Sequence, residues 1–97
     1  MHIIAKPKLK QFWERHTQAE GPLKAWYHEA KRATWVGPND IKARCRSADI
    51  LHGNRVVFNI SGNNYRLVVQ NAYQPGIVYI RFVGTHAEYD KIDAERV

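Results

Sequence analysis

An internal disulfide is impossible in this chain, because Cys45 is its single cysteine. That cysteine and the five histidines (His2, His16, His28, His52 and His86) show no zinc-like spacing, so neither a structural metal nor a cofactor is expected. No apolar run approaches the roughly 20 residues that cross a bilayer. No charged-then-apolar leader opens the chain. Six Gly and four Pro are too few for a disordered or collagen-like protein, and no repeat or low-complexity segment appears. Acidic residues are scarce as well, with nine Asp and Glu against 15 Lys and Arg. These absences lead to the expectation of a cytoplasmic protein with no metal and no membrane partner.

What is present is 97 residues, 44% of them hydrophobic, enough for one domain (1–97) with a modest two-layer core. The net charge of +6 is uneven: residues 1–53 hold ten Lys and Arg and five Asp and Glu, residues 54–97 five and four. A basic domain with 11 aromatics suits a polyanionic partner such as nucleic acid, although solubility alone also explains such charge.

Ile3 and Ile4 predict a short first strand. Pro7 fits the first turn of a helix, and Leu9, Phe12, Trp13 and His16 repeat at helical spacing as a buried stripe. Gly21-Pro22 reads as the end of that helix and the start of a second, with Leu23, Trp26, Tyr27 and Ala30 inward. The pair predicts an antiparallel helical hairpin. Residues 40–54 allow two readings. Asp40 caps a short helical turn, or the segment is extended and Lys42, Arg44 and Arg46 share one face. In the second case they form either a phosphate-binding ridge or a solvated edge.

RVVFNI (55–60) and YRLVVQ (65–70) flank SGNN and predict a hairpin in which Ile60 faces Tyr65, Asn59 faces Arg66 and Phe58 faces Leu67. One face then collects Val56, Phe58, Ile60, Tyr65, Leu67 and Val69, the other Val57, Asn59, Arg66 and Val68. IVYIRFV (77–83) is the next strand. With Val78, Ile80 and Phe82 inward, Arg81 joins Arg66 on the open face. Thr85 and Glu88 match a capping box that starts a short helix through Ile92.

Four of these residues, with Asp90, suit phosphodiester chemistry. Guanidiniums at Arg66 and Arg81 would be satisfied by a phosphate on an open sheet face, or by Glu88, Asp90 or Asp93. His86 sits where a helix N-terminus disfavours the imidazolium, which suits a base, though surface histidines are common. Tyr89 is placed to stack on a base or donate a proton, or simply to cover the hairpin. Asp90 is an orienting group or a solvated charge. Cleavage by attack of an RNA 2′-OH needs a base, cations for the phosphoryl oxygens and an acid for the 5′-oxygen, and needs no metal. Lys91 adds to the RNA-binding charge of Lys42, Arg44 and Arg46.

The segments VVFNISGNNYRLVV (56–69) and VYIRFVGTHAEYDKID (78–93), and more weakly IKARCRSADIL (41–51), resemble the HigB family of toxins, within the RelE-like superfamily. The resemblance implies an α+β fold: a short N-terminal strand, a helical hairpin, antiparallel strands and a short C-terminal helix. It implies an mRNA endonuclease acting on translating ribosomes, neutralised by a HigA-like helix-turn-helix antitoxin that binds operator DNA. Arg66 matches the phosphate-contacting arginine of the superfamily. His86, Tyr89 and Asp90 fall near its C-terminal catalytic positions, and Arg81 lies within the motif. Some relatives use mid-chain lysines as base, so the base is His86 or Lys42. Other superfamily members poison DNA gyrase, and a plain RNA-binding module is the third possibility.

Overall fold

Apolar residues at helical spacing lay two N-terminal helices on one face of a sheet whose strands alternate inward and outward side chains. A computed structural model describes residues 1–97. Strand β1 (His2–Ile4) leads into α1 (Lys6–Arg15), a 3-10 turn (Thr17–Ala19), α2 (Glu20–Arg32) and α3 (Pro38–Arg44). Strands β2 (Asp49–Ile50), β3 (Arg55–Ile60), β4 (Tyr65–Ala72) and β5 (Ile77–Thr85) follow, then the short helix α4 (His86–Tyr89). The sheet order is β1-β5-β4-β3-β2, with β1 parallel to β5 and the other pairs antiparallel. No helix is long and apolar enough to cross a membrane.

The α+β class and element order are those expected, with α3 and β2 added where residues 40–54 read ambiguously. The break between α1 and α2 lies at His16–Ala19, ahead of the expected Gly21-Pro22. Both residues fit inside the first turn of α2, where a missing proline N–H breaks no helical bond. His16 stacks on Phe12, with ring centroids 4.3 Å apart, and meets Tyr65 edge-on, so it is a packing residue. Leu9, Phe12, Leu23, Trp26 and Ala30 press on Val56, Phe58, Leu67 and Val69 to make the main core.

The β3–β4 register is the one the alternation predicted. The left-handed residues of the connecting turn are Ser61 (φ 55°) and Gly62 (φ 66°), one position earlier than Gly62-Asn63. In β5 a bulge departs from the expected alternation: Val69 pairs with Ile80 and Val68 with Phe82, leaving Arg81 without a partner. Phe82 therefore turns to the second face, where it packs beside Val57 and Val68.

That second face is not open, as the sequence had implied. Tyr89, Ile92, Ala94 and Val97 lie over Val57 and Val68 as a small second core. Arg55 fastens the strap by donating from Nε and Nη2 to the Val97 main-chain oxygen at 3.2 and 2.8 Å.

Helix α4 ends at Tyr89, short of the expected Ile92. Its capping box is present: the Glu88 N–H donates to Thr85 Oγ1 (3.2 Å) and the Thr85 N–H to Glu88 Oε1 (2.9 Å). The bond from the Thr85 N–H holds the Glu88 carboxyl below the usual glutamate range. Its stabilisation is therefore present at neutral pH and lost as acid takes the pH down through that lowered value. Replacing Thr85 with Ala should cost about 1 kcal/mol. A thermal melt at pH 7 should show it as a drop of about 4–8 °C, and the deficit should shrink in acid.

Candidate functional site

The hairpin turn, β4 and α4 bring Arg66, Tyr89, His86 and Asp90 together at one end of the second sheet face. Arg66 stands opposite Asn59 on β3 and Gly84 on β5. Gly84 has no side chain there, and the Phe82 ring fills the space a Cβ would need. The Arg66 side chain is only 9% exposed. Nη1 donates to the Asn63 and Tyr65 carbonyls, both at 3.2 Å, and Nη2 to Asn63 Oδ1 at 2.7 Å. All three acceptors are neutral, and no carboxylate lies within ion-pair distance. The guanidinium carbon is 5.9 Å from the centre of the Tyr89 ring. A nearly buried positive charge is thus held in place without being neutralised.

Helix α4 is tied to the same turn by the His86 N–H, which donates to the Asn64 carbonyl at 3.1 Å. His86, Tyr89 and Asp90 fall at i, i+3 and i+4 and share one helix face. His86 Nδ1 is 3.1 Å from Asp90 Oδ2, both side chains about half exposed. The carboxylate thus lies within ion-pair distance of the ring. Tyr89 has its pKa raised, chiefly by burial and by the Asp49 carboxylate, with Arg66 opposing and Asp90 adding. Its hydroxyl therefore stays protonated at neutral pH and is a donor.

Arg81 stands apart from this group. Its Nε and Nη2 donate to Gln70 Oε1 at 3.1 and 2.7 Å, and it lies over Tyr79. The Val68–Phe82 pair separates it from Arg66. Of the positions expected in one solvent-open hollow, Arg66 is nearly buried against the Tyr89 ring, His86 pairs with Asp90 on the adjoining helix, and Arg81 lies elsewhere. Lys91 is exposed on the turn after α4.

The mid-chain cations do not make an extended ridge. Lys42 and Arg44 lie on α3 and Arg46 on the turn after it. Lys42 Nζ donates to the Arg46 and Ala48 carbonyls, each at 2.7 Å, so it closes the end of α3. Arg44 pairs with Glu29 at 3.3 Å. Asp40 is inside α3 rather than its cap, and accepts from the Val36 N–H at 2.9 Å. Burial, then Glu29, raises the Cys45 pKa, which keeps it a thiol and a poor nucleophile. Replacing Lys42 with Met should lower stability by about 1 kcal/mol and leave activity within a few-fold of wild type. Loss of activity at unchanged stability would return Lys42 to the reacting groups.

Asn63 and Asp49 belong to this site and were not singled out in the sequence. Asp49 falls on the Val57–Val68–Phe82 rung, which strand alternation reveals once β2 is recognised. Asn63 is a turn residue whose direction no periodicity gives. No group of three or more His, Cys, Asp or Glu is placed to hold a metal ion.

Comparison with known proteins gives the family. Residues 19–92 match the family model described as HigB toxin, the RelE-like toxic component of a toxin–antitoxin system. The chain is 33% identical over 92 residues to the mRNA interferase toxin HigB of Escherichia coli K12, covering 93% of this chain and 88% of that protein. It has the same identity and coverage with the mRNA interferase HigB of Shigella flexneri. A more distant mRNA interferase HigB, from E. coli O6:H1 strain CFT073, is 23% identical over 94 residues, 95% of this chain and 91% of that one. With the matched span running from α2 through α4, and so over the hairpin, Arg66 and the helix that faces it, this chain belongs to the HigB toxin family, the toxic partner of an antitoxin.

Proposed function

We propose that this toxin is an endoribonuclease that cuts translated mRNA on the ribosome in the cytoplasm, without a metal, and is silenced by a HigA-like helix-turn-helix antitoxin. Through that antitoxin it would sit on operator DNA. The names of its relatives supply the substrate class. The observation that carries the reading is the buried, un-neutralised Arg66 beside Tyr89. A cation held by neutral oxygens alone favours an anion that can reach it, and a scissile phosphate supplies one.

In this scheme the His86 Nε2 takes the proton of the RNA 2′-OH, with Asp90 holding the ring by Nδ1. The 2′-oxygen attacks the adjacent phosphorus. Arg66 offsets the charge that grows on the phosphoryl oxygens. The bond from phosphorus to the 5′-oxygen breaks, and Tyr89 gives its proton to the leaving oxygen. The products are a 2′,3′-cyclic phosphate and a 5′-hydroxyl, and water restores the proton from His86 to Tyr89. Arg81, Lys91 and Arg46 contribute positive field for the RNA chain.

Mapping 5′ ends on a translated reporter tests this. New ends are expected with the wild type and not with Arg66→Met. Growth arrest with intact message and damaged DNA would instead indicate a gyrase poison, and arrest unaffected by the variant a binding module.

A further inference from the structure

Strand β2 is only two residues long and pairs with Val56 and Val57 alone. Beyond it the edge of β3 from Phe58 to Ile60 has no strand neighbour. A cleft of about 500 Å³ opens along that bare edge, a size typical of small-molecule sites. Trp26, Phe58 and Ile60 line it on the apolar side, and Arg46, Ser47 and Asn59 on the polar side. Trp26 and Phe58 meet edge-on at 5.4 Å, and the Trp26 indole N–H is buried without an acceptor. Arg46 is exposed and meets no carboxylate within ion-pair distance.

Asn59 joins this cleft to the Arg66 site. It stands directly across from Arg66 in the β3–β4 ladder, and its Nδ2 donates to the Ser47 carbonyl at 3.2 Å. Arg66 and Asn59 share one sheet face while Phe58 and Ile60 face the other, so a chain whose phosphate rests on Arg66 enters the cleft by passing over the β3 edge beside Asn59. An aromatic and apolar wall, amide and hydroxyl groups at the rim and an unpaired arginine are what a base with its phosphate requires. The larger hollow between α2 and α3, about 820 Å³, has Glu29 and Asp40 among its lining beside Arg32 and Arg44, and lacks that excess of positive charge.

We propose that the cleft at the bare edge of β3 binds the base of a nucleotide neighbouring the phosphate on Arg66, and so selects where the RNA is cut. The inference rests on the nuclease reading. Asn59 is the positioning residue between phosphate and base, and Arg46 holds the neighbouring phosphate.

The test is amide and indole NMR of the full chain at low salt. The probe is a short single-stranded RNA carrying one 2′-deoxy nucleotide, so that it binds without being cut. Signals from the Trp26 indole N–H and the Ser47 amide should move together with those of Asn63, Arg66 and Tyr89. An RNA abasic on one side of the deoxy linkage should leave Trp26 and Ser47 unmoved and bind roughly five- to fiftyfold more weakly. Arg46→Ala, a change at an exposed side chain, should also weaken binding. Shifts at Arg66 and Tyr89 with Trp26 and Ser47 stationary would overturn the base site and leave the nuclease reading standing. Equal shifts of Trp26 with intact and abasic RNA would reduce the cleft to a phosphate contact, and overturn it too. No shift at either place would overturn the base site as a site of the free protein, and the reporter mapping alone would then decide the ribosome-bound nuclease reading.

Discussion

Replacing Arg66 with Met should lower cutting of a translated message by about 10²- to 10³-fold while leaving the protein folded. The two halves of this expectation have one cause. Arg66 is nearly buried and has no carboxylate partner, only the Asn63 and Tyr65 oxygens. Enclosing a charge in that way costs stability, and an apolar side chain of similar length relieves the cost. The three hydrogen bonds lost are short-range within the hairpin, and the Asn63 oxygens border an exposed turn where water can replace the guanidinium. The melting temperature of Arg66→Met should therefore match or exceed that of the wild type. Lysine should restore the charge and part of the activity, but not the forked contact. A variant that melts far lower would make Arg66 a structural residue. One that cuts as well as the wild type would take it out of the site.

His86→Gln should reduce cutting by about 10²- to 10⁴-fold, the usual range for loss of a general base. Its side chain is 49% exposed and packs into neither core, so stability should change by less than about 0.5 kcal/mol. Asp90→Asn should reduce cutting less, because the imidazole stays in place and loses only the carboxylate charge beside it. Tyr89→Phe separates the acid from the stacking surface: the ring remains over Arg66 and the proton is gone. Cleavage measured for all three against melts of the same preparations distinguishes chemistry from folding. If Asp90→Asn proved more damaging than His86→Gln, Asp90 would be acting on the RNA itself.

The hairpin was legible because strict alternation on both sides of SGNN admits one register, and a slip would put Arg66 into the main core. The capping box at Thr85 was legible for a similar reason, since two side chains at fixed spacing satisfy each other's backbone. These two readings set Arg66 on the second face and Tyr89 in the helix after β5, and the β4–β5 register, which the sequence leaves open, brings them together. Three things were not legible. The strap over the second face is built from Ile92, Ala94 and Val97, which show no period and are held by Arg55 from a distant strand. The bulge that parts Arg81 from Arg66 is a single residue with no Gly or Pro to announce it. The role of Lys42 depends on where the carbonyls of Arg46 and Ala48 come to rest, which is a matter of tertiary closure and not of charge pattern.

The chemistry of the cut ends is the most direct measurement of whether Arg66, Tyr89 and the His86–Asp90 pair act together on RNA. Message recovered from cells making the wild-type protein should carry a 2′,3′-cyclic phosphate upstream of each cut and a 5′-hydroxyl downstream. Fragments ending in a 3′-hydroxyl and a 5′-phosphate would contradict attack by the 2′-oxygen, and with it the roles given to these four residues.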